Sequence, residues 1–535
     1  MSTPVPTSTK PAEASDSSEV IAAIASEPQP EQPAAKVGDD TARTAGRGGL
    51  AVAAAKIYFI IVGLVQQTLL ARILGAEGYG ALSRVLAFAN VANNVVITSG
   101  VQGASRTVAA ASAGQDAVAQ RGVLKIHLGM ALPLGALFFV IAPEIARRVG
   151  AEHVITPIRM MSLVVLGYTI YSPLIGALNG HRRFVAQASL DALYATLRTI
   201  GLIGGGWLMT KQGNGPMGSI AGFVVAALVI VPIAASVSGV GASGEAGKPK
   251  LSAYLVFIGP LALGQFFLNA LMQSDIILLG YFAGQAGDTA AADTQVAIYR
   301  ACQLFSFLPY QLLVSITFIL FPMLAKAQAD GDSAAIATYV RTGMRLAMLF
   351  GGAMIAVIVG LAPQVLHLTF KPEIAEPGGE TLRMLSLGQG AFALLGIEAA
   401  VLSSLRREVW TMVLNAVATA MVAVICFVIV PGELIHGPMT LRVAIATSTA
   451  LFGALTIGSI LVKRAAGALV APLSALRIGA AFALSAVAGS FLPNLGKVVT
   501  LVEAAAVGVV YLVLLVVSGE IGKDDLAMIK RVAKR

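Results

Sequence analysis

Several ionisable side chains sit inside long apolar runs of this sequence: Lys56, Arg84, Arg159, Asp191, Arg198, Asp275, Arg300, Arg383 and Glu398. A charge placed in hydrocarbon costs about 2.5–3.5 kcal/mol on insertion scales. Such groups therefore face a water-filled cavity, pair with one another, or snorkel to an interface. Basic groups outnumber acidic ones, and a cationic lumen suits an anionic cargo. Lys56, Arg84 and Arg300 are the candidates for such a lumen. Arg84 and Arg300 each come shortly after a tyrosine, Tyr79 and Tyr299. The competing reading for all three is snorkelling at a helix end. Asp275, flanked by Asn269, Gln273 and Ser274, is the first candidate for a carboxylate that couples to an ion or proton, and Glu398 is the second. The alternative for both is a salt bridge that fixes two helices. Asp191 and Arg198 lie about two turns apart on one helical run and read as packing groups.

Amides form a second set. Gln66, Gln67, Asn93, Asn94, Asn269 and Gln273 are candidates for a polar cavity, since amides bond well to sugar hydroxyls, and equally for interhelical glue. Gly259-Pro260 is the hinge candidate, because proline removes a backbone bond; a static kink is the alternative. The five histidines (His127, His153, His181, His367, His436) are dispersed, and Cys302 and Cys426 sit inside apolar runs, so neither metal nor disulfide spacing exists. There is no phosphate-binding loop, no Ser-His-Asp spacing and no paired carboxylates in a soluble cleft. An enzyme is therefore not expected, nor any cofactor.

The elements that must hold these groups follow from composition. The 535 residues are 56% hydrophobic and 12% charged, and the mean hydropathy is +0.80. Apolar runs recur from 50–74 through 498–518. At ~20 residues per span they make about fourteen transmembrane helices. Strand alternation is absent, and a helix satisfies its own backbone in lipid. An all-α polytopic membrane protein is expected. The expected divisions are a tail over 1–48, a first lobe over 49–240, a second over 241–466, two extra helices over 467–520 and a basic helix over 521–535. Short loops leave no room for an inserted soluble domain.

Charge asymmetry orients the chain. Loops on one side carry Arg106, Arg121, Lys125, Arg182, Arg183, Arg406, Arg407, Lys463 and Arg464 among others, about twice the basic load of the opposite side. Both termini are expected in the cytoplasm. The net charge of +9 reflects this topology and contact with anionic lipid rather than nucleic acid.

The sequence also repeats itself. GALNGHRRFVAQASLDALYATL from Gly176 matches AVLSSLRREVWTMVLNAVATAM from Ala400, with Arg182-Arg183 on Arg406-Arg407 and Asp191 on Asn415. A weaker pair begins at Gly103 and Phe321, with Gln115-Asp116 against Gly331-Asp332. Two parallel six-helix lobes, pseudo-symmetric, with a site between them, are a transporter plan. With no nucleotide site, transport is passive or driven by H+ or Na+.

At LLARILGAEGYGALSR, from Leu69 to Arg84, the sequence resembles the polysaccharide-flippase branch of the MOP superfamily, the Wzx-type transporters. The carrying residues are Ala71, Arg72, Leu74, Gly75, Tyr79 and Gly80. The Tyr-led stretch from Ala297 to Lys326 and the basic turn NGHRRF from Asn179 resemble the family's eighth helix and its fourth-to-fifth turn. The resemblance covers about residues 50 to 520. It implies a flippase that turns undecaprenyl-diphosphate-linked oligosaccharide across the bacterial inner membrane by alternating access, with the lipid tail along helices thirteen and fourteen. It also implies proximity to a polysaccharide polymerase and a chain-length regulator. A lipid II flippase and a cation-coupled drug or metabolite antiporter of the multidrug branch are the alternatives. Asn93 and Asn94 stand where the lipid II branch leads one to expect an arginine pair, and the extra helix pair counts against the antiporter.

Overall fold

The computed structural model describes residues 39–112, 114–241, 251–432 and 435–522, with side chains from 58 onward except at 315, 318 and 319. Residues 1–38 of the expected tail, the expected basic helix beyond 522 and the side chain of Lys56 lie outside the described residues. The chain forms two compact units, Met1–Ala51 and Val52–Arg535.

Among the described residues all regular structure is helical. The helices are α1 (Asp39–Ala109), α2 (Asp116–Arg148), α3 (Ile155–Gly180), α4 (Phe184–Thr210) and α5 (Gly215–Ser238), with a short 3₁₀ turn (Glu152–Val154) before α3. Then come α6 (Leu251–Gly284), α7 (Thr289–Ser306), α8 (Leu308–Ala329), α9 (Ser333–Gly360), α10 (Ala362–Thr369) and α11 (Pro372–Ser404). The last four are α12 (Glu408–Ile429), α13 (Met439–Ala466), α14 (Pro472–Ser490) and α15 (Lys497–Val517). A helix is thus assigned from Asp39, inside the segment expected to be a tail.

Eleven of the described helices are long and apolar enough to cross a membrane. The sequence count of about fourteen differs for local reasons. Helix α1 is one of the eleven, although it turns back on itself at Gly75, whose φ of 72° and ψ of 179° are not helical. The Tyr79 hydroxyl donates to Gln67 Oε1 at 2.9 Å; in a straight helix those residues would be about 18 Å apart. Helix α4 carries Asp191 and Arg198. The eighth apolar run breaks at Phe307 into α7 and α8, where Pro309 sits in the first turn of the new helix.

Helices α2 to α5 pack on one another, and α6 to α13 do likewise, with α14 and α15 against α9. Of the described apolar spans the most enclosed are α3 and α11. These are the two helices that open the clearer sequence repeat. Both end in one turn geometry. Arg182 and Arg406 have φ of 58° and 57°, a region that side chains rarely enter. The amides of His181, Arg182 and Arg183 bond back to Ala177, Asn179 and Leu178; those of Leu405, Arg406 and Arg407 bond to Val401, Ser403 and Leu402. A side-chain bridge spans each turn, Asn179 to Gln187 at 3.1 Å and Ser403 to Thr411 at 3.2 Å. The two turns therefore match in shape as well as in sequence.

In lipid, helices associate through close backbone contact rather than the hydrophobic effect. Helices α4 and α5 illustrate this. Gly201 faces Gly222 and Gly205 faces Gly218 so closely that a Cβ on any of them would fall within 2.3 Å of the opposite carbonyl oxygen. Large apolar side chains such as Val140, Leu132, Leu501 and Val517 are exposed on the outer faces, as a bilayer-embedded surface requires.

Gly259 and Pro260, the hinge candidates, lie inside the uninterrupted helix α6 and are both exposed. The described backbone departs from helix instead at Gly75, around Phe307 and at Leu361.

Candidate functional site

A cavity of about 240 Å³ lies where the first arm of α1 meets α4, α6, α7 and α8. Its polar lining comes from both halves of the chain: Gln66, Gln67 and Arg198 from the first, Gln273, Arg300, Gln303 and Gln311 from the second. Phe59, Met272, Phe307 and Leu308 supply apolar wall.

Arg300 sits on α7 and donates through Nη1 to Gln303 Oε1, 3.0 Å away and one turn on. Gln303 is fully buried, and its Nε2 donates to Asp275 Oδ1 at 2.9 Å. Asp275, only 2% exposed, also accepts from the backbone N–H of Ile276 at 2.8 Å and from the Tyr299 hydroxyl at 3.0 Å. Its carboxylate is thus held behind the cavity wall by three donors. Arg198 reaches the same cavity from α4, its guanidinium 5.6 Å from the Phe223 ring centre. Among the described residues no carboxylate lies within ion-pair distance of Arg198 or Arg300. Two like charges from opposite halves, held in low dielectric, attract an anion far more strongly than they would in water.

The expectation for Arg198 is corrected here: it lines the cavity rather than serving packing alone. The signal was weak, because only the placement of α4 aims it inward. Gln303 and Gln311 went unnoticed for the same reason. Asp191 keeps its packing role, accepting from the Tyr171 hydroxyl at 3.4 Å.

Arg84 is the larger correction. It does not line the cavity. Its Nε lies 2.8 Å from Asp293 Oδ1, with both side chains 2% exposed, and its Nη1 donates to the Val149 carbonyl at 3.3 Å. The other Asp293 oxygen faces His153 Nε2 at 2.8 Å. The cause is Gly80, one turn before Arg84. A Cβ there would sit 1.7 Å from the Asp293 carbonyl oxygen, so the bare backbone lets the start of α7 dock and brings a counter-charge to Arg84.

The amides divide. Gln66 lines the cavity and accepts from Thr199 Oγ1 at 3.0 Å, and Gln273 lines it with an Oε1 that no described donor reaches. Asn94 Nδ2 donates to Asn269 Oδ1 at 2.8 Å, which joins α1 to α6 outside the cavity lining and makes both residues glue. Asn93 is buried away from the cavity lining, and neither of its polar side-chain atoms has a hydrogen-bond partner.

Glu398 is fully buried and accepts from Ser459 Oγ at 2.5 Å. Its second oxygen faces Gly458, where a Cβ would be 2.1 Å away. It therefore belongs to the α11–α13 contact and does not join Asp275. Among the described residues no group of three or more His, Cys, Asp or Glu is placed to hold a metal. His127, given no role from sequence, is buried. Its Nδ1 lies 2.9 Å from the Thr169 carbonyl and its Nε2 2.9 Å from the Tyr254 hydroxyl, so it ties α2 and α3 to α6.

Three comparisons bear on this arrangement. The family described as polysaccharide biosynthesis protein matches residues 45–328. A probable multidrug resistance protein NorM of Rhizobium meliloti (strain 1021) is 30% identical over 207 residues, which is 38% of this chain and 42% of that protein. Among solved structures, the lipid II flippase MurJ in an inward closed conformation superposes with a TM-score of 0.71 at 14% identity, over 87% of this chain and 98% of that one. An inward-facing multidrug resistance MATE family transporter of the MOP superfamily gives 0.63 at 15%, over 78% and 98%. The two superpositions speak to fold, whereas the family match covers more than half of the sequence. The chain belongs to the polysaccharide biosynthesis protein family, and its fold is similar to those of the MurJ and MATE structures.

Proposed function

We propose that the chain is a flippase for undecaprenyl-diphosphate-linked oligosaccharide repeat units, carrying them across the bacterial inner membrane by alternating access of its two halves. The single observation that supports this reading is the meeting of Arg198 and Arg300 in one amide-lined cavity, one cation from each half, with no described carboxylate between them. A diphosphate fits two guanidiniums, and sugar hydroxyls fit the surrounding glutamines. Lys56 stays a proposed third cation. Asp275 and Glu398 are the proposed coupling carboxylates, with H+ or Na+ as the ion. The basic loops favour cytoplasmic termini. The lipid-linked glycan and membrane lipids are the proposed partners, with a polysaccharide polymerase and a chain-length regulator nearby.

A lipid II flippase would use the same cavity, and the MurJ-like fold accommodates it. A drug antiporter fits less well, because two guanidiniums repel cationic drugs. Deletion followed by lipid analysis separates the three: a lipid-linked repeat unit accumulates on the cytoplasmic face, or lipid II does, or lipids stay normal while drug efflux changes. Hydrogen bonds to a charged group contribute about 1.5–3 kcal/mol each. Arg300→Ala and Arg198→Ala should therefore cut export about tenfold or more at normal protein level, with Arg300→Lys retaining part. Wild-type export from both alanine variants would overturn the reading.

A further inference from the structure

Gln303 is placed between a cavity cation and a buried carboxylate, and both ends of its amide are used. Oε1 accepts from Arg300 at 3.0 Å and Nε2 donates to Asp275 at 2.9 Å. This orientation is the only one compatible with both charges. Turned over, the amide would set N–H against N–H at Arg300 and oxygen against carboxylate oxygen at Asp275. From this geometry, and resting on the anion-cavity reading above, we infer that Gln303 is a positioning residue that couples anion binding at Arg300 to protonation of Asp275.

The coupling follows from donor and acceptor counts. While Asp275 is ionised it needs the Gln303 N–H, so the amide oxygen points at Arg300 and holds one of its donors. When Asp275 takes a proton from water, its new O–H needs an acceptor. The amide can then turn, accept from Asp275 through Oε1 and present its NH₂ to the cavity. Arg300 is released from Gln303, and a second donor joins it at the anion. Loss of the negative charge behind the wall acts in the same direction. By linkage the effect is reciprocal: a bound anion that claims Arg300 frees the amide to accept the acid proton.

The other groups around Asp275 leave this logic intact. Tyr299 on α7 donates to it. Cys426 on α12 is a free buried thiol. Arg198 shares the cavity with Arg300, and Tyr79 donates to Gln67 on the cavity wall. Arg84 lies beside Gly280 further along α6, already neutralised by Asp293. The three donors aimed at Asp275 suit a proton better than a metal cation, which needs oxygen acceptors.

The test is inorganic pyrophosphate binding to the full chain in lipid nanodiscs across pH 5 to 8. Wild type should bind about tenfold more tightly on acidification. Asp275→Asn should bind with little pH dependence. Gln303→Leu and the volume-preserving Gln303→Met should still bind, with the change reduced to about twofold. If either folded Gln303 variant keeps the wild-type slope while Asp275→Asn loses it, the charges couple through space and the relay is overturned, though the cavity reading stands. A wild-type slope in Asp275→Asn also overturns it. If wild type binds no pyrophosphate, relay and cavity reading fall together.

Discussion

Arg84 and Arg300 each follow a tyrosine within a few residues, yet their surroundings are opposite. Arg84 is sealed against Asp293, with both side chains 2% exposed. Arg300 looks into a cavity, with a neutral amide as its described hydrogen-bond partner. One glycine accounts for much of the difference. At Gly80 the start of α7 comes into contact with α1 and delivers a carboxylate to the first arginine. An intramembrane arginine is thus not in itself a binding residue. The nearest carboxylate decides whether its charge is spent inside the protein or available to a ligand.

The comparison can be broken most severely at Asp293. Asp293→Asn leaves Arg84 charged, buried and without its counter-ion, a loss of about 3–5 kcal/mol. Protein yield and thermal unfolding in detergent should both fall, and Arg84→Met combined with Asp293→Leu should recover most of the loss. A smaller effect separates stability from transport. Arg84→Met alone should lower the folded amount while export per folded molecule stays within about twofold of wild type. A fall in export per molecule as large as that of Arg300→Ala would erase the distinction. The smallest effect sharpens the part of the repeat that is symmetric. Arg182→Gly and Arg406→Gly relieve left-handed strain worth about 1–2 kcal/mol per residue, less the entropy glycine adds to the unfolded chain. Each should raise stability by under about 1 kcal/mol, and by similar amounts, as read by thermal unfolding. Unequal shifts would mean that the turns are alike only in outline.

Much of the fold was legible because lipid leaves the backbone few choices. Apolar runs of bilayer length had to be helices, and the paired arginine turns were visible as residue patterns. The break at Phe307 was not, since counting apolar length does not register a helix interrupted within a run, although Pro309 hinted at it. The site was less legible. Arg300, Gln66 and Gln273 line the cavity, but Arg84 was misassigned because its partner Asp293 is remote in sequence. Arg198 was read as a packing group because it shares one helical run with Asp191. Gln303 carried no signal beyond its type; its meaning depends on which helix brings Asp275 beside it.

The glycine contacts between α4 and α5 carry one more implication. With backbone pressed on backbone at Gly201, Gly205, Gly218 and Gly222, neither helix can slide past the other without collision. Arg198 is therefore bolted to a two-helix plank, and any stroke that shifts this guanidinium must carry α5 along with it.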